Sequence, residues 1–201
     1  MNRVTVQYVV FLFMLLLSVL SQAKSEMVEP LDKAVAIDDF QLIDHTGQPF
    51  TKQQLMGSWS LIFLGFTSCP DICPMTMSQL EGVRAELGLH FTPEKIPNII
   101  FVAVDPARDK EVLGDYLAYF HPKNIGVTGT NDQLDRLVKS LEGFYRYDKK
   151  KADMSYNVVH TAAIAVVNPN AEMVAKINPP FARANTAMEL MLLIRGKARD
   201  E

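Results

Sequence analysis

Two short runs of almost wholly apolar residues, 60–66 (SLIFLGF) and 98–104 (NIIFVAV), do most to limit what this chain can fold into. Neither alternates polar with apolar residues, as a strand with one wet face would. Each is of strand length and reads as a strand covered on both faces, the situation of a parallel sheet. Between them, residues 74–87 repeat apolar side chains at three- and four-residue spacing (Met75 or Met77, Leu80, Val83, Leu87), the stripe of an amphipathic helix. Strand, helix and strand in that order form the unit from which parallel sheets are built.

The flanking segments extend the pattern. Residues 40–43 and 48–51 around the turn 44–47 predict a hairpin, and Pro49 confines its return strand to a sheet edge. Residues 110–120 have helical spacing through Val112, Tyr116, Leu117 and Phe120, stopped by His121-Pro122. A short extended piece at 125–128 precedes a helix over 131–141, with Asn131 as its N-cap and Leu134, Leu137, Val138 and Leu141 inward. Residues 144–147 and 158–167 read as strands, and 172–177 returns as a hairpin partner across Asn168-Pro169-Asn170. A last helix over 181–195 turns Ala187, Leu190, Met191 and Ile194 inward. The expected class is α/β: a central mixed sheet flanked by helices.

The first 23 residues are of another kind. A short positive lead, an uncharged apolar run over residues 8–20 and the small residues Ser21-Gln22-Ala23 form the layout of a bacterial secretory signal. Residues 4–20 are also near the minimum length for an uncleaved membrane anchor, since a bilayer core is about 30 Å thick. Residues 24–38 are polar and mixed and are expected to be a flexible tether, leaving 39–201 as one domain. The chain is 48% hydrophobic and 21% charged, with a net charge of −3. It offers no basic footprint for nucleic acid.

Only two cysteines occur, in the segment Thr67-Ser68-Cys69-Pro70-Asp71-Ile72-Cys73-Pro74. That segment leaves the C-terminal end of a buried strand and enters a helix, the place where open α/β sheets bind ligands. Pro74 is expected at the first helical position, which makes Cys73 the N-cap and leaves Cys69 in the loop. Both sulfurs then face a helix N-terminus, which favours thiolate and so helps a nucleophile and a metal ligand alike. The spacing is Cys-x3-Cys, whereas the thioredoxin-like redox motif is Cys-x2-Cys. Two thiolates form a soft donor set that selects copper(I) or zinc. A structural disulfide and a redox-active pair remain open alternatives.

His160 stands where the strand over 158–167 begins, and imidazole suits copper as a third ligand. A strand-end histidine bonded to the backbone is the competing account. His45, His90 and His121 fall in a turn, a loop and a helix end and read as surface residues. Met75 and Met77 are soft donors near Cys73 but more naturally core. Asp71 reads as a solvated loop carboxylate. In Asp105-Pro106-Ala107-Arg108-Asp109, Asp109 is expected to cap a helix, and Asp105 with Arg108 to brace the neighbouring loop.

Together these segments resemble the SCO/SenC family of copper chaperones. The resemblance rests on residues 65–74 (GFTSCPDICP), 105–109 (DPARD), 128–130 (TGT) and His160-Thr161 before a strand ending in Asn168-Pro169. It implies a thioredoxin-like three-layer fold with an added N-terminal β-hairpin, and one copper per chain, Cu(I) and in some states Cu(II), on Cys69, Cys73 and His160. It implies as partner the cytochrome c oxidase subunit bearing the copper-A ligands, with an upstream copper donor or thiol reductant. The leader, read by itself, points to the bacterial periplasm, with anchoring to the inner membrane as the alternative. The family is also proposed to reduce the oxidase's cysteines with the same pair, so an exported thiol-disulfide oxidoreductase is the alternative function. A peroxidase of similar fold fits less well, since no separate resolving cysteine is present. One position departs from the family pattern: an acidic residue usually precedes the histidine, and here it is Val159.

Overall fold

The computed structural model describes residues 27–151 and 155–197, so the expected leader at 1–23 lies outside the described residues. At the centre, β4 (Ser60–Gly65) and β5 (Asn98–Ala103) run parallel, with Leu61 beside Ile99, Phe63 beside Phe101 and Gly65 beside Ala103. Every residue of β4 is buried, as its unbroken apolar run requires. From the end of β4, α1 (Ile72–Gly88) carries the chain back to β5. Two further helices, α2 (Pro106–Asp109) and α3 (Leu113–Phe120), lead from β5 to β6 (Ile125–Thr128), which is parallel to β5.

Antiparallel strands complete the sheet on both sides. On one side β9 (Ile164–Val167) pairs with β4, and β10 (Glu172–Ile177) with β9. On the other, β2 (Gln41–Asp44) pairs with β6 and β3 (Pro49–Thr51) with β2. With β1 (Val28–Ala36) on β10, the spatial order is β1-β10-β9-β4-β5-β6-β2-β3. The mixed α/β sheet and its N-terminal hairpin therefore match expectation, with Pro49 on the outermost strand where its missing N–H breaks no ladder.

Apolar stripes hold the helices on. Met77, Leu80, Val83 and Leu87 of α1 are fully buried, each contributing about 1.5–3 kcal/mol. Met75, about 200° around the helix from Met77, is exposed instead. The helix α5 (Arg183–Lys197) packs against α1, and α4 (Asn131–Ser140) against β2. Among the described residues no helix is long and apolar enough to cross a membrane.

Four expectations need correction. Residues 24–38 are not a tether throughout: Val28–Ala36 is a sheet strand, and Ile37 is buried with its N–H donating to Ala171 O at 3.1 Å. The strand was hidden because its register shifts between Pro30 and Val35, so no period-2 pattern survives, and most of its side chains are exposed.

The run 158–167 is two strands. Val158–His160 is β8, paired with β7 (Tyr145–Tyr147) in a separate two-stranded sheet, and only β9 joins the main sheet. A continuous apolar run cannot reveal that its hydrogen-bonding partner changes midway.

The helix expected over 110–120 starts at Leu113, after the separate turn α2, and the Asp109 side chain caps neither. Finally, the N-cap of α1 is Asp71, not Cys73, and that of α4 is Thr130, not Asn131. Pro74 is thus the third helical residue, a position where the missing N–H is still one of the four that no intrahelical carbonyl needs.

Candidate metal centre

Beyond Gly65 the chain leaves β4 and turns tightly, the Cys69 N–H donating to Phe66 O at 3.2 Å. This turn is anchored from 42 residues away. The Thr67 N–H and hydroxyl both donate to Asp109 Oδ1, at 2.9 and 2.6 Å. Asp109 is fully buried, and burial pushes its carboxyl above the usual range despite the two Thr67 hydrogen bonds. Asp109 is therefore an anchor for the cysteine loop, a use its expected capping role missed.

Cys73 lies in the first turn of α1, where its N–H has no intrahelical partner. It donates instead to the Cys69 sulfur at 3.4 Å, so Cys69 does what the Asp71 side chain does not. Both cysteines are free thiols, Cys69 half-buried and Cys73 fully buried. Burial, with the adjacent Cys69 thiol adding to it, pushes the Cys73 thiol well up, and a backbone hydrogen bond at Phe66 opposes this only in part. The shift at Cys73 is thus upward, set chiefly by desolvation, and not the lowering expected from a helix N-terminus.

Gly65 makes room for this packing. A Cβ at that position would stand 2.5 and 2.6 Å from two ring carbons of Phe101 and 3.3 Å from Cys73 Sγ. The sulfur and the ring occupy the space a side chain would take.

His160, the last residue of β8, reaches over this end of β4. Its Nε2 lies 3.7 Å from Cys73 Sγ. Its Nδ1 lies 2.9 Å from Thr161 O, and a carbonyl only accepts, so that contact assigns the proton to Nδ1 and the free lone pair to Nε2. The ring also stands edge-on to Phe63 and Phe66, with centroids 6.1 and 6.0 Å away. Burial pushes its pKa down, against the Thr161 hydrogen bond, which keeps the imidazole neutral and able to bind a metal. The backbone-bonded histidine of the competing account is thus present, and the same contact leaves Nε2 turned to Cys73.

The spacing suits a shared metal. With metal–sulfur and metal–nitrogen distances of about 2.3 and 2.0 Å, as for zinc, a trigonal site sets sulfur and nitrogen roughly 3.7 Å apart. The Cys73–His160 separation has that value. Among the described residues, no three His, Cys, Asp or Glu side chains already form a closed ligand set. The structure therefore brings Cys73 and His160 together and holds Cys69 beside them, with its sulfur turned to the Cys73 amide.

Other candidates fall elsewhere. His45 Nδ1 accepts from the Gly126 N–H at 3.2 Å, His121 Nδ1 from the Lys123 N–H at 3.1 Å, and His90 is exposed. Asp71 is exposed, as expected. Asp105 and Arg108 do form the expected brace, as a side-chain ion pair. Two aromatic residues of the site carry no motif signal: Phe63 and Tyr116, whose ring packs on Phe101 at 5.4 Å. Their apolar periodicity is that of any core residue.

A family model described as SCO1/SenC matches residues 28–195, starting where β1 starts. The chain is 35% identical over 161 residues to a SCO2-like protein of Rickettsia felis, covering 79% of this chain and 75% of that one. It is 33% identical over 167 residues to the human mitochondrial SCO1 homolog, covering 78% of this chain and 55% of the human protein, so it spans about half that relative's length. Among solved structures, Arabidopsis thaliana ScoI with copper bound aligns with a TM-score of 0.73 at 29% identity, covering 80% of this chain and 99% of that one. The shared fold is thioredoxin-like.

Proposed function

From the premise that this chain belongs to the SCO1/SenC family, we propose that it binds one copper ion through Cys69, Cys73 and His160 and delivers it to the copper-A centre of cytochrome c oxidase during assembly. One observation carries the ligand assignment: Cys73 Sγ and His160 Nε2 face each other at 3.7 Å, with Nδ1 already committed to Thr161 O. The copper-bound state of the Arabidopsis relative supports the choice of metal. Two soft thiolates and an imidazole suit Cu(I), and the same set can hold Cu(II) after oxidation.

Loading is simple in outline. Cu(I) takes the Nε2 lone pair, the thiol protons of Cys73 and Cys69 pass to solvent, and the Cys69 sulfur swings from the Cys73 amide to complete the set. Cys69, the less buried cysteine, faces the partner, so release to a competing thiolate pair begins there. We further propose that residues 1–23 export the domain or hold it at the membrane, where an oxidase's copper ligands are accessible.

The test is anaerobic Cu(I) titration of the reduced protein and of its Cys69→Ala, Cys73→Ala and His160→Ala variants. One copper per chain in the wild type, weakened in all three variants, is the expected result. Copper binding that survives His160→Ala unchanged overturns the ligand set.

A second reading, a thiol-disulfide oxidoreductase acting on an exported partner, rests on the free and adjacent state of the two thiols. One cysteine attacks the partner disulfide, the other displaces the mixed disulfide, and the pair ends oxidised while the partner gains two thiols. An upstream thiol reductant must then restore it. This activity needs both cysteines and tolerates loss of His160, so a partner-reduction assay on His160→Ala separates the two functions.

A further inference from the structure

His160 does not sit on the main sheet. It is carried by the short β7–β8 pair, a two-stranded sheet separate from the eight-stranded one. A ligand on so small a ribbon needs something to fix its height over Cys73. We infer that Arg108 is the positioning residue that does this, clamping the His160 ribbon to the cysteine side of the site. The inference rests on His160 being a copper ligand, as proposed above.

Arg108 makes four contacts that converge on this task. Its Nε meets the buried carboxylate of Asp105. Its Nη1 donates to the backbone oxygen of Tyr156 at 3.1 Å, four residues before His160. Its guanidinium carbon lies 3.9 Å from the centre of the Tyr156 ring and 5.6 Å from that of Phe66. The Tyr156 hydroxyl donates to Asp105 Oδ1 at 2.9 Å, so Asp105, Arg108 and Tyr156 form a closed triangle.

One side of this triangle grips the backbone that leads into β8. The other touches Phe66, which stands edge-on to the His160 ring and adjoins the cysteine turn. The Tyr147 hydroxyl adds a second tie, donating to Val104 O at 2.7 Å. Asp109, next in sequence to Arg108, holds the cysteine turn through Thr67. One turn of helix thus grips both ligand-bearing segments. Only a planar, forked cation can pair with a carboxylate, bond a carbonyl and stack on aromatic faces at once, and lysine cannot.

The test is a double-mutant cycle on the reduced full chain, read by Cu(I) affinity in a competition assay. Arg108→Ala and Arg108→Lys should each weaken copper about 10- to 100-fold, the usual effect of losing a residue that orients a ligand. In the His160→Ala background the same changes should have no further effect, because no imidazole is left to position. Cu(II)-loaded Arg108→Lys should also lose nitrogen hyperfine structure in its electron paramagnetic resonance spectrum.

Thermal unfolding of each variant identifies a folding defect, and if Arg108→Ala does not fold, Arg108→Lys is read in its place. Wild-type affinity in the Arg108 variants, or a loss that adds in full to that of His160→Ala, overturns the inference. If His160→Ala itself leaves copper binding unchanged, it is the ligand set that fails.

Discussion

The sulfur of Cys73 and Nε2 of His160, 87 residues apart in sequence, face each other at 3.7 Å across the C-terminal end of β4. Burial favours the uncharged form of both groups, raising the pKa of the thiol and lowering that of the imidazole. The pair is a weak hydrogen-bonding contact that a soft cation can replace in the same space. Several consequences can be measured.

On the proposed ligand set, copper loading expels the thiol protons of Cys73 and Cys69 but none from His160. A ligand that is protonated when free makes affinity rise with pH, while the lowered histidine pKa keeps Nε2 open at neutral pH. The logarithm of Cu(I) affinity should rise with pH between pH 6.5 and 8, by about one unit or more per pH unit. His160→Ala should bind more weakly with the same slope. A slope that drops by one in that variant means that His160 is protonated before loading.

Asp109→Asn keeps an oxygen for the two Thr67 donors and removes a buried charge. The folded-state pKa of Asp109 is raised, chiefly by desolvation. Its contribution to stability is therefore full below the unfolded value, near pH 3.8, and is lost as pH rises through the folded value. Relative to the wild type, Asp109→Asn should gain stability between pH 4 and pH 7. Parallel melting-temperature profiles for the two proteins over that range would rule this out.

Gly65→Ala forces a methyl group against the Phe101 ring and towards Cys73 Sγ. Overpacking of this kind costs about 1–3 kcal/mol. A lowered midpoint in urea should accompany weakened copper binding, and Phe101→Leu in the same chain should recover part of both. If the two losses are not relieved together, the ring is not the obstacle.

A chain begun at residue 39 lacks β1 and exposes the edge of β10. Losing the burial of Val28 and Ile37 and the edge pairing should remove at least about 2 kcal/mol, or about 4–8 °C in Tm. The open edge should also promote self-association, visible by light scattering. A monomer with the Tm of a chain begun at residue 27 would mean that β1 is dispensable.

Val159 pairs across the ribbon with Arg146 and precedes His160. Val159→Asp places a carboxylate opposite that arginine and beside the ligand, which favours both the ribbon and a bound cation. Copper affinity should rise a few-fold, and Arg146→Ala in the same chain should remove part of the gain. An unchanged affinity shows that charge at this position does not reach the metal.

What the sequence determined by itself was whatever is encoded locally. Residues 60–66 and 98–104 announce buried parallel strands because strands covered on both faces need apolar side chains at every position. The CPDICP segment announces paired thiols at a strand-to-helix junction because two cysteines and two prolines in six residues leave few other conformations. Only the tertiary structure decided what depends on partners far along the chain. It split residues 158–167 between two sheets and so put His160 over Cys73. It turned Asp109 from an expected cap into the anchor of Thr67. It drew β1 into the sheet although its own pattern is irregular. It also set the Cys73 thiol high, because desolvation depends on everything packed around the sulfur.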